Sequence, residues 1–195
     1  LQPITRYNLD SAIIFSDILM VPYALGQEVE FIKNEGPKLS KFNQKKFLES
    51  KKDKFIKKLT PVYKAISKTR QKLQKDKSLI SFVGAPWTLL IYMLDLKKNK
   101  NEVDLNKVKK LKIEINAIID KLVEYLCVHI EKQIEAGADV VQIFDSWAGL
   151  IPPAKLQNYC YNPNYKIVEF CKKRNKSTIC FPRGLAKNYL NFNEI

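Results

Sequence analysis

The sequence predicts an α/β protein built around a parallel sheet. Four short runs of apolar and β-branched residues occupy positions 12–15, 79–83, 140–144 and 178–181. Each run is nearly continuous in apolar residues rather than alternating with polar ones, which is typical of parallel strands covered on both faces. Helical patterns separate the runs, and an alternation of strands with long crossovers favours a parallel sheet.

The clearest helical pattern spans residues 105–135, where apolar residues recur at steps of three and four. Asp104 is predicted to cap its first turn, and Gly137 is predicted to end it before the third strand. Residues 44–76 predict two weaker helices divided at Thr60-Pro61, because a proline inside a helix removes a hydrogen bond.

The remaining segments predict smaller elements. Residues 25–37 are expected to form a small hairpin or loop, and two short helical pieces follow Pro152-Pro153, divided near Asn162-Pro163. There is no internal repeat and no low-complexity linker, so we expect a single domain over residues 1–195. The chain opens just before one strand and stops shortly after another, so we expect it to be a piece of a larger barrel.

Composition favours a protein with one sizeable core in a reducing compartment. The 195 residues are 46% hydrophobic, which is enough for one domain of this length. The four cysteines show no CxxC spacing, so we expect free thiols in a reducing cytosol rather than a zinc site or a disulfide scaffold. No cationic-then-apolar leader is visible. We therefore expect a cytoplasmic protein.

One segment resembles a membrane span in composition. Residues 78–94 carry no charged side chain over 17 positions, which is the lower limit for a bilayer crossing. Gly84-Ala85-Pro86 interrupts the segment in its middle, so a buried strand followed by a turn is favoured over a span.

The formal charge of +14 raises the alternative of a nucleic-acid-binding protein. Lysine supplies most of the 34 basic residues and arginine only four, whereas bidentate phosphate and base contacts favour arginine. The lysines concentrate between the apolar runs, so we interpret them as solvated helix faces. A small polyanionic substrate is equally compatible with this charge.

Unusual residues follow each predicted strand. The four strands run into the motifs "FSD", "GAPW", "FDSWAG" and "FPRG". The carboxyl ends of parallel strands share one rim, where active sites are built. We therefore expect that rim to gather Asp17, Gly84, Asp145, Ser146 and Arg183. Singly, each residue also fits an ordinary cap or turn.

Two ionisable residues call for separate interpretation. Asp17 stands between the apolar stretches 12–15 and 18–21, where an unpaired carboxylate costs several kcal/mol. His129 is the one histidine of the chain. A single histidine without a nearby cysteine or aspartate cluster cannot build a three-ligand zinc site, so we interpret His129 as structural.

Four segments resemble signature blocks of the uroporphyrinogen decarboxylase family, in the family's order. They read "RYNLDSAIIFSDILMVPYALGQEVEF", "FVGAPWTLLIYML", "QIEAGADVVQIFDSWAGLIPP" and "CFPRG". The resemblance implies a (β/α)8 TIM barrel, of which this chain is an incomplete part holding roughly the second to fifth strands. It also implies a homodimer that converts uroporphyrinogen III to coproporphyrinogen III in haem biosynthesis, by removing four acetate carboxylates without metal or organic cofactor.

The resemblance assigns roles to six residues of this sequence. Asp17 is implied as the central catalytic carboxylate and Tyr92 as the active-site tyrosine. Independently of the resemblance, the apolar neighbours Ile13, Phe15 and Ile18 are expected to form a dry collar that strengthens the effect of the Asp17 charge. Ser146 matches the serine that binds a substrate carboxylate. Residues implied to line the pocket are Ile13, Gly84 and Phe144.

The chain also departs from the family pattern. The family's arginine-rich and histidine-bearing segments are expected upstream of Leu1 and downstream of Ile195. "LDLKKNKNEVD" stands where the family places a glycine-rich turn after "YM". Three alternatives stay open: a zinc-dependent corrinoid or thiol methyltransferase of the same superfamily, a basic nucleic-acid-binding protein, and a non-catalytic remnant. The preferred interpretation implies no nucleic-acid partner and no membrane association.

Overall fold

The computed structural model describes residues 1–32, 36–99, 102–110 and 113–194. Eight strands lie in these residues: β1 (Ser11–Ile13), β2 (Val29–Ile32), β3 (Gly36–Leu39), β4 (Ser78–Gly84), β5 (Lys97–Asn99), β6 (Glu102–Val103), β7 (Val140–Asp145) and β8 (Ser177–Pro182). The described residues also form eight α-helices: α1 (Gln2–Tyr7), α2 (Met20–Ala24), α3 (Gln44–Leu48), α4 (Lys52–Lys72), α5 (Pro86–Met93), α6 (Leu105–Lys110), α7 (Ile115–Glu135) and α8 (Asn162–Lys172).

The central sheet has four parallel strands in the order β1-β4-β7-β8. All four strands were predicted from the apolar runs, and the structure confirms them. The first strand ends at Ile13, two residues earlier than predicted. Helices α5, α7 and α8 pack on one face of this sheet, with α4 beside α7. The core lies between the sheet and these helices, and its largest side chains include Trp87, Tyr125 and Phe55.

The opposite face of the sheet is open. A row of aromatic rings crosses it, with centroid distances of 5.1 Å from Phe15 to Phe82, 5.4 Å from Phe82 to Phe144 and 6.1 Å from Phe144 to Phe181. Phe15 is 80% exposed and Phe181 is 45% exposed. The near-continuous apolar runs are explained by these two apolar faces, one covered by helices and one carrying the aromatic row.

The prediction of one helix over residues 105–135 is wrong. Helix α6 ends at Lys110, and α7 begins at Ile115 after an extended Glu114; residues 111–112 lie outside the described part. Val108 and Ile118 are both buried in the same core. Periodicity alone did not reveal the break, because both pieces turn their apolar residues to the same core.

The division predicted at Thr60-Pro61 is also wrong. Helix α4 continues through Pro61, and the break from α3 lies instead at residues 49–51. Pro61 is exposed, whereas Phe55, Leu59 and Ile66 are buried on the other side of α4. Burial of that side outweighs the one backbone hydrogen bond that the proline removes.

Other local predictions are confirmed. Strands β2 and β3 pair as the antiparallel hairpin expected within residues 25–37, of which 33–35 lie outside the described residues. Asp104 Oδ1 accepts hydrogen bonds from the backbone N–H groups of Asn106 (3.1 Å) and Lys107 (3.2 Å), so it caps α6. Gly137 follows α7 with a φ of 109°, a backbone conformation that favours glycine.

A proline also marks the last helical segment. A π-helical turn at Gln157–Tyr161 leads directly into α8, with Pro163 in its first turn. Within the described residues, none of the helices is both long and apolar enough to cross a bilayer.

Candidate functional site

The carboxyl ends of the four central strands lie along one edge of the sheet, and backbone hydrogen bonds join the segments that follow β4, β7 and β8. Ala85 N–H donates to the Phe144 carbonyl (2.8 Å), and Arg183 N–H donates to the Asp145 carbonyl (3.0 Å). Gly149 N–H donates to the Arg183 carbonyl (2.9 Å). Three of the four segments at the predicted rim are therefore connected, and the exposed side chain of Arg183 lies on one of them.

Asp17 lies on this rim between β1 and α2. Its Oδ1 accepts a hydrogen bond from Leu19 N–H (2.8 Å), and its carbonyl accepts one from Met20 N–H (3.0 Å). Asp17 therefore does hold a turn. Its Oδ2 accepts no hydrogen bond from the described residues, and the side chain is half-buried. One carboxylate oxygen thus remains available to a ligand.

The described residues do not by themselves form the predicted dry collar around Asp17. Ile13 is 45% exposed and Phe15 is 80% exposed, whereas Ile18 is half-buried. Ile13 and Phe15 lie on the open face of the sheet, which no described segment covers. Within the described residues, the surroundings of Asp17 are therefore open to solvent on that side.

Trp147 contacts the ring of Tyr92 and directly follows Ser146 in the sequence. Tyr92 lies in the last turn of α5, and its ring meets that of Trp147 edge to face at 6.2 Å between centroids. Ser146 precedes Trp147 and is half-buried. Trp147 N–H donates to Thr88 Oγ1 (3.2 Å), and Trp87 Nε1 donates to the Trp147 carbonyl (3.1 Å). Helix α5 therefore holds the turn that carries Ser146.

Gly84 ends β4 where the chain has no room for a side chain. A Cβ atom there would stand 2.8 Å from Leu89 Cδ2 and 3.1 Å from Ile18 Cβ. The missing side chain lets β4 approach the segment that carries Asp17. Phe144, the other residue predicted to line the pocket, pairs with Gly84 in the register of β4 and β7 and lies in the aromatic row.

Asp145 does not join the rim, so its inclusion among the convergent residues is wrong. Side chains alternate along a strand, and Asp145 points to the helices while Phe144 points to the open face. The Asp145 carboxyl is 1% exposed and accepts hydrogen bonds from Thr88 Oγ1 (2.8 Å), Asn164 Nδ2 (3.4 Å) and Cys160 Sγ (3.5 Å). Burial raises the pKa of Asp145 to about 6. Its role is structural.

The sequence reasoning missed Lys97. Its Nζ lies 5.2 Å from the ring centroid of Trp147, on the hairpin of β5 and β6. The signal in the sequence was the lysine-rich stretch after "YM", which was noted there only as a departure from the family.

His129 is structural, as predicted. It is buried in α7, with Nδ1 3.0 Å from Tyr63 Oη and Nε2 2.6 Å from Gln133 Nε2. Gln133 Nε2 also donates to the Phe82 carbonyl (3.3 Å). Burial lowers the pKa of His129 to about 3, which keeps it neutral.

The cysteines are Cys127, Cys160, Cys171 and Cys180, and all four are free thiols. In the parts of the chain that the structure describes, no group of three His, Cys, Asp or Glu side chains is placed to hold a metal ion.

Comparison with known proteins places this chain in one family. The family model described as Uroporphyrinogen decarboxylase (URO-D) matches residues 1–193. Uroporphyrinogen decarboxylase of Rickettsia bellii is 38% identical over 200 residues, which cover 100% of this chain and 58% of that protein. The Orientia tsutsugamushi protein of the same name is 41% identical over 194 residues, covering 97% of this chain and 56% of that protein.

A solved structure shows the same fold. A methyltransferase from Methanosarcina mazei superposes with a TM-score of 0.69 at 19% identity, covering 91% of this chain and 52% of that one. The chain thus spans little more than half the length of the proteins it matches, and the fold is an incomplete α/β barrel, as the sequence predicts. It belongs to the uroporphyrinogen decarboxylase family.

Proposed function

We propose that this chain is the part of a uroporphyrinogen decarboxylase that carries the central carboxylate. The enzyme would convert uroporphyrinogen III to coproporphyrinogen III, a cofactor-independent carboxy-lyase reaction of haem biosynthesis. The observation that carries the proposal is the position of Asp17. This carboxylate stands at a strand end of a family barrel, and its Oδ2 is left without a hydrogen-bond partner among the described residues.

The chemistry of the substrate explains why a free carboxylate oxygen is useful. The four pyrrole N–H groups of the cyclic tetrapyrrole can converge on one acceptor, and bonds to a charged acceptor are strong. Protonation of a pyrrole at its α-carbon creates a cation that takes up the electron pair when a side chain loses CO2. The ionised Asp17 stabilises that positive charge as it develops. The methylene carbon left by CO2 then takes up a proton, and the ring α-carbon gives its added proton back. Each acetate side chain thus gains one proton in total, loses CO2 and ends as a methyl group.

The other proposed site residues would act on the substrate together with this carboxylate. Tyr92 supplies a phenol that can donate to Asp17 or to a substrate carboxylate, and Ser146 donates to an acetate or propionate. Ile13 and Phe144 line the apolar side of the pocket, and Gly84 leaves room for the close approach of the segment before α2. These assignments rest on the family motifs and on the contacts around Trp147.

The setting of the enzyme is part of the proposal. We expect a cytoplasmic homodimer, without metal, organic cofactor, nucleic-acid partner or membrane association. Four free thiols suit a reducing compartment. Zinc analysis of purified protein separates this proposal from a zinc-dependent methyltransferase.

The first prediction concerns Asp17→Asn in a completed barrel, meaning residues 1–195 joined to the segments that the Rickettsia bellii relative has beyond the aligned part. Asparagine keeps the Oδ1 that accepts from Leu19 N–H but removes the charge. Loss of one preorganised electrostatic partner lowers kcat by about 10²–10³-fold. We expect that fall with an unchanged melting temperature, measured as coproporphyrinogen formation and thermal unfolding of the same sample.

Two further variants serve as controls for this prediction. Asp17→Ala also removes the turn acceptor, so it should additionally cost about 1 kcal/mol of stability. Tyr92→Phe removes only a hydroxyl and should lower kcat less than Asp17→Asn. Turnover by folded Asp17→Asn within tenfold of wild type would show that Asp17 only holds its turn.

A further inference from the structure

We propose that Lys97 binds a carboxylate of the substrate at the rim and thereby contributes to specificity for carboxylate-rich tetrapyrroles. This inference rests on the proposed function of the same site. It adds to that site a cation that stands outside the family motifs described above.

The first argument is position. Trp147 stands directly after Ser146, and its ring contacts both the Tyr92 ring (6.2 Å between centroids) and Lys97 Nζ (5.2 Å from the centroid). The ammonium group therefore shares one aromatic side chain with Tyr92, beside the serine predicted to bind substrate. Contact with an indole face orients an ammonium group but neutralises none of its charge.

The second argument is that the backbone holds Lys97 in this place. Leu96 N–H donates to the Ile91 carbonyl (3.0 Å), and Asp104 N–H donates to the Leu96 carbonyl (2.7 Å). These bonds tie both ends of the β5–β6 hairpin to the last turn of α5, which carries Tyr92. Lys97 therefore follows a residue that is anchored to the helix of the site.

The third argument is charge. Neighbouring lysines are paired, Lys98 with Glu102 (2.6 Å) and Lys107 with Asp95 (3.0 Å). Lys97 forms no ion pair with any residue that the structure describes, although its side chain is exposed. Lys97 Nζ lies over the Trp147 ring, whereas Lys98 Nζ pairs with Glu102 along the hairpin. An unpaired, oriented ammonium group at the rim is suited to bind an anion.

The ligand chemistry matches. Uroporphyrinogen carries an acetate and a propionate on every pyrrole ring, so its periphery is dense in carboxylates. Lys97 lies on the rim rather than at the sheet centre. Its ammonium group would therefore contact the peripheral carboxylates of the substrate, whereas Asp17 would act at the reacting carbon. The bound state and the transition state would be stabilised alike, which lowers KM without changing kcat.

The test compares Lys97→Gln with Lys98→Gln in the completed barrel. The two substitutions remove the same charge at adjacent positions of one strand. For Lys97→Gln we expect KM for uroporphyrinogen to rise about three- to tenfold, as for a partly exposed charge-assisted contact, with kcat within about twofold. The rise should shrink at high salt, and Lys97→Arg should restore KM. Lys98→Gln should leave both constants unchanged.

A binding assay makes the inference testable without turnover. Uroporphyrin, the oxidised tetrapyrrole with the same carboxylates, is titrated into the protein. Its binding is followed by the quenching of tryptophan fluorescence, to which Trp147 contributes. Weaker binding by Lys97→Gln than by Lys98→Gln supports the inference even if the wild-type barrel forms no coproporphyrinogen, in which case the proposed function fails on its own. Equal KM and equal uroporphyrin affinity for the two variants overturn the role of Lys97.

Discussion

Asp17 and Asp145 each follow an apolar run, yet the structure gives them opposite surroundings. Asp17 is half-buried at a turn on the rim, whereas Asp145 is enclosed between β7 and the helices. The carboxyl of Asp145 joins β7 to α5 through Thr88 and to α8 through Asn164. Because Thr88 Oγ1 also accepts from Trp147 N–H, this buried group supports the turn that carries Ser146.

The second prediction is that Asp145→Asn changes how stability depends on pH. The pKa of Asp145 is raised to about 6 in the fold, against about 3.9 in an unfolded chain. Between these values the folded state binds more protons, so wild-type stability falls as pH rises. Asparagine does not titrate. The variant should therefore gain stability relative to wild type between about pH 4 and 7, by about 2–3 kcal/mol, measured by urea unfolding across that range.

The hydrogen bonds of the site permit this substitution. Asparagine at position 145 keeps one oxygen that accepts from Thr88 Oγ1. Its amide can donate to Asn164 Oδ1 once the side-chain amide of Asn164 is flipped. Among the described residues, that oxygen is buried without a hydrogen-bond partner. Asn164→Ala is the control, because it leaves the Asp145 charge in place and should retain the pH dependence. A parallel pair of stability curves for wild type and Asp145→Asn would contradict the raised pKa.

The residues of the site were predictable to different degrees. Strand-end positions such as Asp17 and Ser146 could be found because a parallel sheet collects its carboxyl ends on one side. The sequence did not show on which face of the sheet Asp145 lies, because an apolar run with two apolar faces shows no alternation. Lys97 could not be found either, since its contact with Trp147 joins two segments 50 residues apart.

At the scale of elements, the types and order of strands and long helices were predictable, and the interruptions were not. Proline at position 61 indicated a division of α4 that the structure does not contain. A local rule counts the lost hydrogen bond but not the buried face that holds the helix together. For the same reason the sequence did not reveal the break after α6, since α6 and α7 pack their apolar side chains into the same core.

The third prediction is that Pro61→Ala stabilises the completed barrel. Pro61 lies inside a 21-residue helix and is exposed, so alanine would restore a backbone N–H for the Lys57 carbonyl without disturbing the core. Loss of the proline's restraint on the unfolded chain offsets part of this gain, leaving about 1–2 kcal/mol. The measurement is urea unfolding, with Lys64→Ala, an exposed position on the same helix, expected within about 0.5 kcal/mol of wild type. A loss of stability would instead mean that the core requires a bend at Pro61.

At the scale of the molecule, one face of the central sheet is covered by no described segment of the chain. Among the described residues, the central sheet has two unpaired edges, β1 and β8, and the aromatic row crosses the uncovered face. A closed barrel removes such edges and buries such a face. The family resemblance predicted four of eight strands, and the sheet order agrees with it. The apolar collar of Asp17 would then be completed only by strands beyond these residues.

The last prediction is that residues 1–195 alone do not form coproporphyrinogen. Asp17, Tyr92 and Ser146 are present, but Ile13 and Phe15 stand in water, so the charge of Asp17 acts in a high dielectric and loses most of its effect. The isolated chain should also bind a hydrophobic dye such as anilinonaphthalene sulfonate at its open face, and Phe15→Ser should weaken that binding. Dye fluorescence and coproporphyrinogen formation are measured on the isolated chain and on the completed barrel. Activity should appear, and dye binding fall, only in the completed barrel. Measurable coproporphyrinogen from residues 1–195 would show that the site works without a closed, dry interior.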